Sequence, residues 1–252
     1  MRTLIIKFQF DGTDFVGWQM QPGLRSLQGE LTKAFKNKTG NDYKIIAAGR
    51  TDTGVHGINQ IATISIDEFK IPEHKIAKAI NTVLPNDIQL LDVQIIDEVY
   101  NARFDAISRE YNYYITKDYS VFKRRYFAHY KEQLDICLMN ESAMSILGKH
   151  DFTTFSKVNN DLNHYLCEVE RCKWTRINET DIKLNIKSNR FVYSMVRSLV
   201  GTMVSIGSGK LESNYIKISL DKKDRNLCSR IAPANGLFFK RAYFNSEYRI
   251  LK

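Results

Sequence analysis

Between Leu4 and Ile96 the spacing of apolar side chains switches between two and about four, and the order of those switches restricts the fold more than any other feature. Leu4, Ile6, Phe8 and Phe10 alternate with more polar neighbours, as a half-buried strand does, and Asp11-Gly12 ends the run. Ser26 stands where a helix needs its N-cap, ahead of Leu27, Leu31 and Phe35 at intervals of four. Strands are expected from about Tyr43 to Ala48 and from Ile58 to Ile66. Pro72 opens a second helix carrying Ile76, Ala79, Ile80 and Val83, and Leu84-Pro85-Asn86-Asp87 closes it before a strand near Ile88 to Ile96. Strand, helix, strand, strand, helix, strand is the order of a split βαβ, ferredoxin-like unit.

The second half loosely repeats the first. Tyr111, Tyr113 and Ile115 share one face of a predicted strand, and Met139, Ala143, Ile146 and Leu147 form a helical stripe with Gly148 as its cap. Strands near Cys167 to Ile177 and Asp181 to Lys187 precede an apolar helix over about Val192 to Ile206, helical residues near Asn214 to Leu220, and a last strand from Leu237 to Tyr243. The prediction is an α+β fold of two related ferredoxin-like halves, 1–105 and 106–252, with pooled, mainly antiparallel sheets and a central cleft. Only four prolines and no Gly/Ser-rich linker occur, so the halves are expected to pack closely.

Charge narrows the partner. Thirty-seven basic against 28 acidic side chains leave +9 on 252 residues, which favours a polyanion: nucleic acid first, an anionic membrane surface second. No stretch approaches the roughly 18 continuous apolar residues of a spanning helix, and the N-terminus is too briefly apolar for a signal peptide. A cytoplasmic location is therefore expected. Cys137, Cys167, Cys172 and Cys228 show no paired zinc spacing, and His56, His74, His129, His150 and His164 show no ligand pairing. Reduced thiols and no metal are the expectation.

Chemistry concentrates between Ala47 and Ile58, where Asp52 lies between Arg50 and His56 in a loop with Gly49, Gly54, Thr51 and Thr53. Such a loop on a rigid sheet is a usual place for a reactive group, although an aspartate there can also simply cap a turn. Asp52-Thr53-Gly54 is also the triplet of an aspartic protease, but that chemistry needs two carboxylates sharing a proton, and no second triplet exists. Gly207-Ser208-Gly209-Lys210 is not a phosphate loop, because Val204 and Leu211 replace its first glycine and its hydroxyl residue. Tyr111 to Tyr114 and Tyr119 to Tyr126 are rich in rings, and the second run adds Lys123, Arg124 and Arg125. Rings with cations suit stacking on bases beside phosphates, whereas strand aromatics packed in a core are the plainer reading.

Taken in order, Phe10 to Gln19, Gly49 to His56, Ala102-Arg103-Phe104-Asp105-Ala106 and Arg109-Glu110-Tyr111-Asn112-Tyr113 resemble successive motifs of the TruA family of tRNA pseudouridine synthases. His150 to Phe155, Met195-Val196-Arg197 through Gly201, and Ala232 to Leu237 are similar to its remaining landmarks. The resemblance implies the pseudouridine synthase fold and conversion of uridine to pseudouridine at positions 38, 39 and 40 of the tRNA anticodon arm. It also implies a homodimer, no cofactor and no metal. By position, Asp52 is the catalytic aspartate, Tyr111 the active-site tyrosine, Arg197 the arginine paired with the aspartate, and Arg50 a basic residue that helps draw out the target nucleotide. Tyr111, Arg50, His56 and Gln60 are expected to contact the substrate.

The reaction moves the uracil from its N1 to its C5 on ribose C1′, so nothing is oxidised and one ionised carboxylate is enough. An arginine partner favours that ionised form, and a tyrosine can stack on the detached base while its hydroxyl stands near the C5 proton. The carboxylate's step has three formulations: attack on C1′, attack on C6, or removal of a ribose proton to give a glycal. Another class, an RNA-binding protein on the same scaffold, would bind without Asp52. The chain departs from the family pattern at Gly57, usually Ala, and at Arg190 and Ser198 around Arg197.

Overall fold

A computed structural model describes residues 2–157 and 164–252. In chain order the elements are β1 (Arg2–Phe10), α1 (Leu27–Thr39), β2 (Ile45–Ala47), β3 (His56–Ile66), α2 (Glu73–Asn81), β4 (Ile88–Ile96) and β5 (Ala106–Thr116). They continue with β6 (Ala128–His129), α3 (Ile136–Met144), β7 (Gly148–Asp151), β8 (Leu166–Arg176), β9 (Asp181–Ser188), α4 (Met195–Gly207), α5 (Tyr215–Lys222) and β10 (Leu237–Phe244). The fold is α+β with mostly antiparallel pairing. Two compact units form: Met1–Ser108 with Phe238–Lys252, and Arg109–Leu237.

In the first unit β1 is central, antiparallel to β4 on one edge and to β3 on the other. That leaves β3 a single outer edge, and two strands divide it. β2 pairs antiparallel with Ala62 to Ile64, and β10 pairs parallel with His56 to Asn59. A strand that ends the chain thus ladders with one from its first quarter. Helix α1 starts at Ser26, whose side chain accepts from Gly29 N–H, and ends at Gly40 in a left-handed conformation. Its Leu27, Leu31 and Phe35 are fully buried, each contributing about 1.5–3 kcal/mol by removal from water.

The second unit carries the antiparallel order β5-β9-β8-β7, with the short β6 parallel to β5. Tyr113, Ile115, Trp174, Leu184 and Ile186 supply buried side chains from these strands, and Trp174 Nε1–H reaches Met203 Sδ on α4 at 3.3 Å. Helix α4 is buried nearly all round, which matches its nearly continuous apolar sequence. Helix α3 ends at Met144, earlier than its stripe predicts; Ile146 and Leu147 follow on turns, and Gly148 at φ 87° opens β7 instead of capping the helix. Cys167 and Cys172 are buried, and burial pushes both thiols up, Cys167 to about 11.

Asp181, at the start of β9, is a buried anion. Burial alone would raise its pKa, but hydrogen bonds from Lys123, Thr116, Asn178 and Thr180 outweigh it and hold the carboxyl at about 2. Lys123 Nζ meets both oxygens, at 2.8 and 2.6 Å. Because the folded pKa lies below the unfolded value, the stability is present above about pH 4 and is lost as pH falls towards 2. It amounts to roughly 2 kcal/mol at neutral pH. Asp181→Asn should lower the urea midpoint at pH 7, and the gap from wild type should narrow between pH 4 and 2; a gap constant with pH would refute the assignment.

Candidate active site

The loop between β2 and β3 is held by its backbone at every turn. Ala48 N–H donates to Ile61 O at 2.8 Å, and Gln60 Nε2 donates to Gly49 O at 3.0 Å. Trp18 N–H donates to Thr51 O at 3.0 Å, and Thr53 Oγ1 donates to Val16 O at 3.0 Å. Gly54 N–H donates to Phe15 O, and Val55 N–H closes a turn on Asp52 O at 3.2 Å. Segment 12–18 is therefore the second wall of this loop. It must come very close: a Cβ on Gly12 would overlap Val55 O, and one on Gly17 would meet Thr51 O, with Gly17 already at φ 103°. Glycine at both positions in the Phe10 to Gln19 motif is a requirement of that approach.

Asp52 sits at the tip, half-buried, and Arg50 is exposed. Between them Thr51 is only 8% exposed, and its Oγ1 has no hydrogen-bond partner among the described residues.

His56 and Gln60, expected to contact substrate, lie beneath the loop at 1% and 0% exposure. Gln60 spans from Gly49 O to Ile61 N–H, which donates to its Oε1 at 3.1 Å. His56 Nδ1 accepts Gly12 N–H at 3.0 Å, and its ring stacks on Phe238 of β10 with centroids 4.6 Å apart. Nδ1 also lies 3.2 Å from Asp11 Oδ1. Accepting from Gly12 and donating to Asp11 are exclusive roles for one nitrogen. The Gly12 bond is the better fit, since Asp11 Oδ1 already accepts from Thr13 N–H and Thr13 Oγ1. Gly57 also has a local reason, because a methyl group there would run into the Phe10 ring.

In the second unit β5 and α4 carry the other two candidates. Tyr111 is 8% exposed, lies opposite Ile186 on β9, and meets Phe191 edge-on at 5.1 Å between centroids. Arg197 lies in the first turn of α4, after Ser194 at φ 62°. Its Nε donates to Ala232 O at 2.8 Å, while Ala232 N–H donates to its backbone carbonyl at 3.1 Å. Segment 230–232 thus aligns one edge of the guanidinium. Gly201 admits that segment, since a Cβ there would overlap Arg230 O. Tyr113 Oη donates to Pro233 O at 2.8 Å, and burial raises its pKa well above the usual phenol range, so it is a neutral donor.

His150 to Phe155 turn out to be structural. Asp151 accepts from Thr153 N–H and Oγ1, Phe152 and Phe155 are buried, and Thr154 Oγ1 donates to Ser219 O at 2.7 Å. Among the described residues no group of three His, Cys, Asp or Glu is placed to hold a metal ion, and no helix is long and apolar enough to cross a membrane. Sequence reading did not single out Phe191, Phe238 or Thr51 on their own. The roles of Phe191 and Phe238 arise from contacts between distant segments, whereas Thr51 and Ala232 lay within motifs already marked.

One unit carries a glycine-walled carboxylate loop, and the other carries a tyrosine and a backbone-aligned arginine. A family model described as tRNA pseudouridine synthase matches residues 6–105 and 143–245. The chain belongs to that family, whose members isomerise uridine to pseudouridine in tRNA. It is 36% identical over 250 residues to tRNA pseudouridine synthase A of Brachyspira hyodysenteriae, spanning 98% of this chain and 100% of that one. It is 36% identical to the Fervidobacterium nodosum enzyme of the same name, over 97% of this chain and 100% of that one. The Bacillus subtilis enzyme is 34% identical, over 94% and 97%.

Proposed function

We propose that this chain isomerises uridine to pseudouridine at positions 38, 39 and 40 of the tRNA anticodon stem-loop, with Asp52 as the essential carboxylate. The observation that carries this reading is the Asp52 loop itself. Hydrogen bonds with the backbone of Phe15, Val16 and Trp18 and with the Gln60 side chain fix its path and leave an acid at the tip of a rigid bend, within a motif the resemblance marks as catalytic. That is how a group is held for chemistry on a substrate too large to be enclosed.

In the proposed reaction the target uridine leaves its stack, at a cost of a few kcal/mol, and phosphate contacts from the +9 chain offset it. Asp52 opens the bond from C1′ to N1, by adding to C1′ or C6 or by taking a ribose proton. The freed uracil turns on the Tyr111 ring and rejoins through C5, the C5 proton leaves to a base and N1 takes up a proton, so the product is an isomer of the substrate. By the family resemblance Arg197 is the arginine that pairs with the catalytic aspartate, and Arg50 takes RNA phosphate. His56 and Gln60 serve by holding the loop from below, in keeping with their burial. A homodimer gripping one tRNA, located in the cytoplasm, completes the reading.

The test is to incubate the purified protein with an unmodified tRNA transcript carrying uridines at 38, 39 and 40, without added cofactor, and map pseudouridine. Product at those positions is the expected result. Product confined to other positions would overturn the site assignment, and tRNA binding with no product would favour a non-catalytic binding protein.

A further inference from the structure

The two aromatic stretches of the sequence meet opposite fates. Tyr113, fully buried and bonded to Pro233, is a core residue, and Tyr111 is held on the same strand against Phe191, where the proposed reaction uses its ring. The Tyr119 to Tyr126 stretch is a surface turn between β5 and β6, and it is built rigidly. Phe122 N–H donates to Ser120 Oγ and Lys123 N–H to Ser120 O, while Tyr126 and Phe127 N–H both donate to Lys123 O. Asn235 Nδ2 clamps the far side, donating to the carbonyls of Arg124 and Phe127, each at 2.8 Å. Lys123 is tied to the buried Asp181, which pins the turn to β9.

This scaffold holds apolar side chains out in water. Phe122 is 90% exposed, Tyr119 64% and Val121 52%, and the cations Arg124 and Arg125 are exposed beside them. Arg124 Nη1 donates to Val121 O, so that arginine too is held against the turn. A lone apolar residue on a surface means little, but neighbouring ones on an ordered turn mark a contact site. The adjoining arginines favour a polyanion with flat apolar faces over an apolar protein patch. An unpaired nucleotide has both features, a base to stack on and phosphates for the cations.

We infer that the Tyr119 to Tyr126 turn is an RNA contact pad, where the Phe122 ring stacks on an unpaired base of the substrate RNA and Arg124 and Arg125 take the flanking phosphates. The inference rests on the proposed tRNA substrate and adds a place where that RNA is gripped outside the candidate active site.

The experiment measures binding of an unmodified full-length tRNA transcript to wild type, Phe122→Ala, Phe122→Trp and Arg124→Gln. Phe122→Ala should weaken binding at least about five-fold, the lower end for one stacked base, without shifting the thermal melt. Phe122→Trp should keep affinity, and its indole fluorescence should be quenched by tRNA. The new emitter is distinguishable because Trp18 and Trp174 are buried. Arg124→Gln should make the dependence of log affinity on log salt shallower by about one. Unchanged affinity in Phe122→Ala would overturn the inference, as would a drop in sedimentation mass, which would make the turn a contact between copies of the chain. If wild type fails to bind the transcript, the substrate reading falls first and takes this inference with it.

Discussion

Asp52→Asn should reduce pseudouridine formation by about four orders of magnitude or more, the scale seen when an essential reacting group is removed. Asparagine has the size of aspartate and keeps an acceptor oxygen, and the bonds from Val55 N–H to the Asp52 backbone carbonyl and from Trp18, Thr53 and Gln60 do not use the carboxylate, so the bend should survive. What is lost is the negative charge, and with it each of the three ways a carboxylate could open the glycosidic bond. Affinity for tRNA should persist within a few-fold, since phosphate contacts from lysine and arginine dominate it. The measurement is single-turnover modification beside filter binding on the same preparations. Modification by Asp52→Asn within ten-fold of wild type would remove Asp52 from the chemistry.

Gly17→Ala should have the second largest effect, and it acts on stability and turnover together. Gly17 has φ 103°, which costs a side-chain-bearing residue about 1–3 kcal/mol, and its Cβ would press on Thr51 O and the carbonyl carbon of Asp52. Both atoms are backbone, so the loop itself must yield. Turnover should fall about 100-fold, the usual consequence of a shift near 1 Å at a reacting group. Gly23→Ala is the control. Gly23 also has positive φ, at 72°, but nothing lies within 4 Å of its Cβ position, so it should lose some stability and no turnover. Equal activity losses in both variants would show that conformational strain alone matters, and that the close approach to Thr51 does not.

Much of the local structure was legible because each element satisfies its own periodicity. The Ser26 cap, the α1 stripe and strand β4 from Ile88 to Ile96 all form where the pattern places them. Helix α3 shows the limit of that logic. Ile146 is fully buried as its stripe demands, yet it lies on a turn after the helix has ended at Met144. Periodicity reports which side chains face the core and does not report which backbone hydrogen bonds carry them there. The candidate site divides in the same way. Asp52, Tyr111 and Arg197 were singled out by residue type and motif, whereas the burial of His56 and Gln60 under the loop follows from contacts with Gly12, Phe238 and Gly49.

The sequence by itself determined the α+β class, the order of elements, the glycine-bounded Asp52 loop and the positive charge, because each depends on residues close together in the chain or on composition. Tertiary structure decided that β10 shares the outer edge of β3 with β2, that segment 12–18 walls the Asp52 loop, and that Ala232 aligns Arg197. It also decided which run of aromatic residues is core and which faces water. Each of these turns on pairings between distant segments, and those are chosen by how whole surfaces fit, which no local pattern encodes.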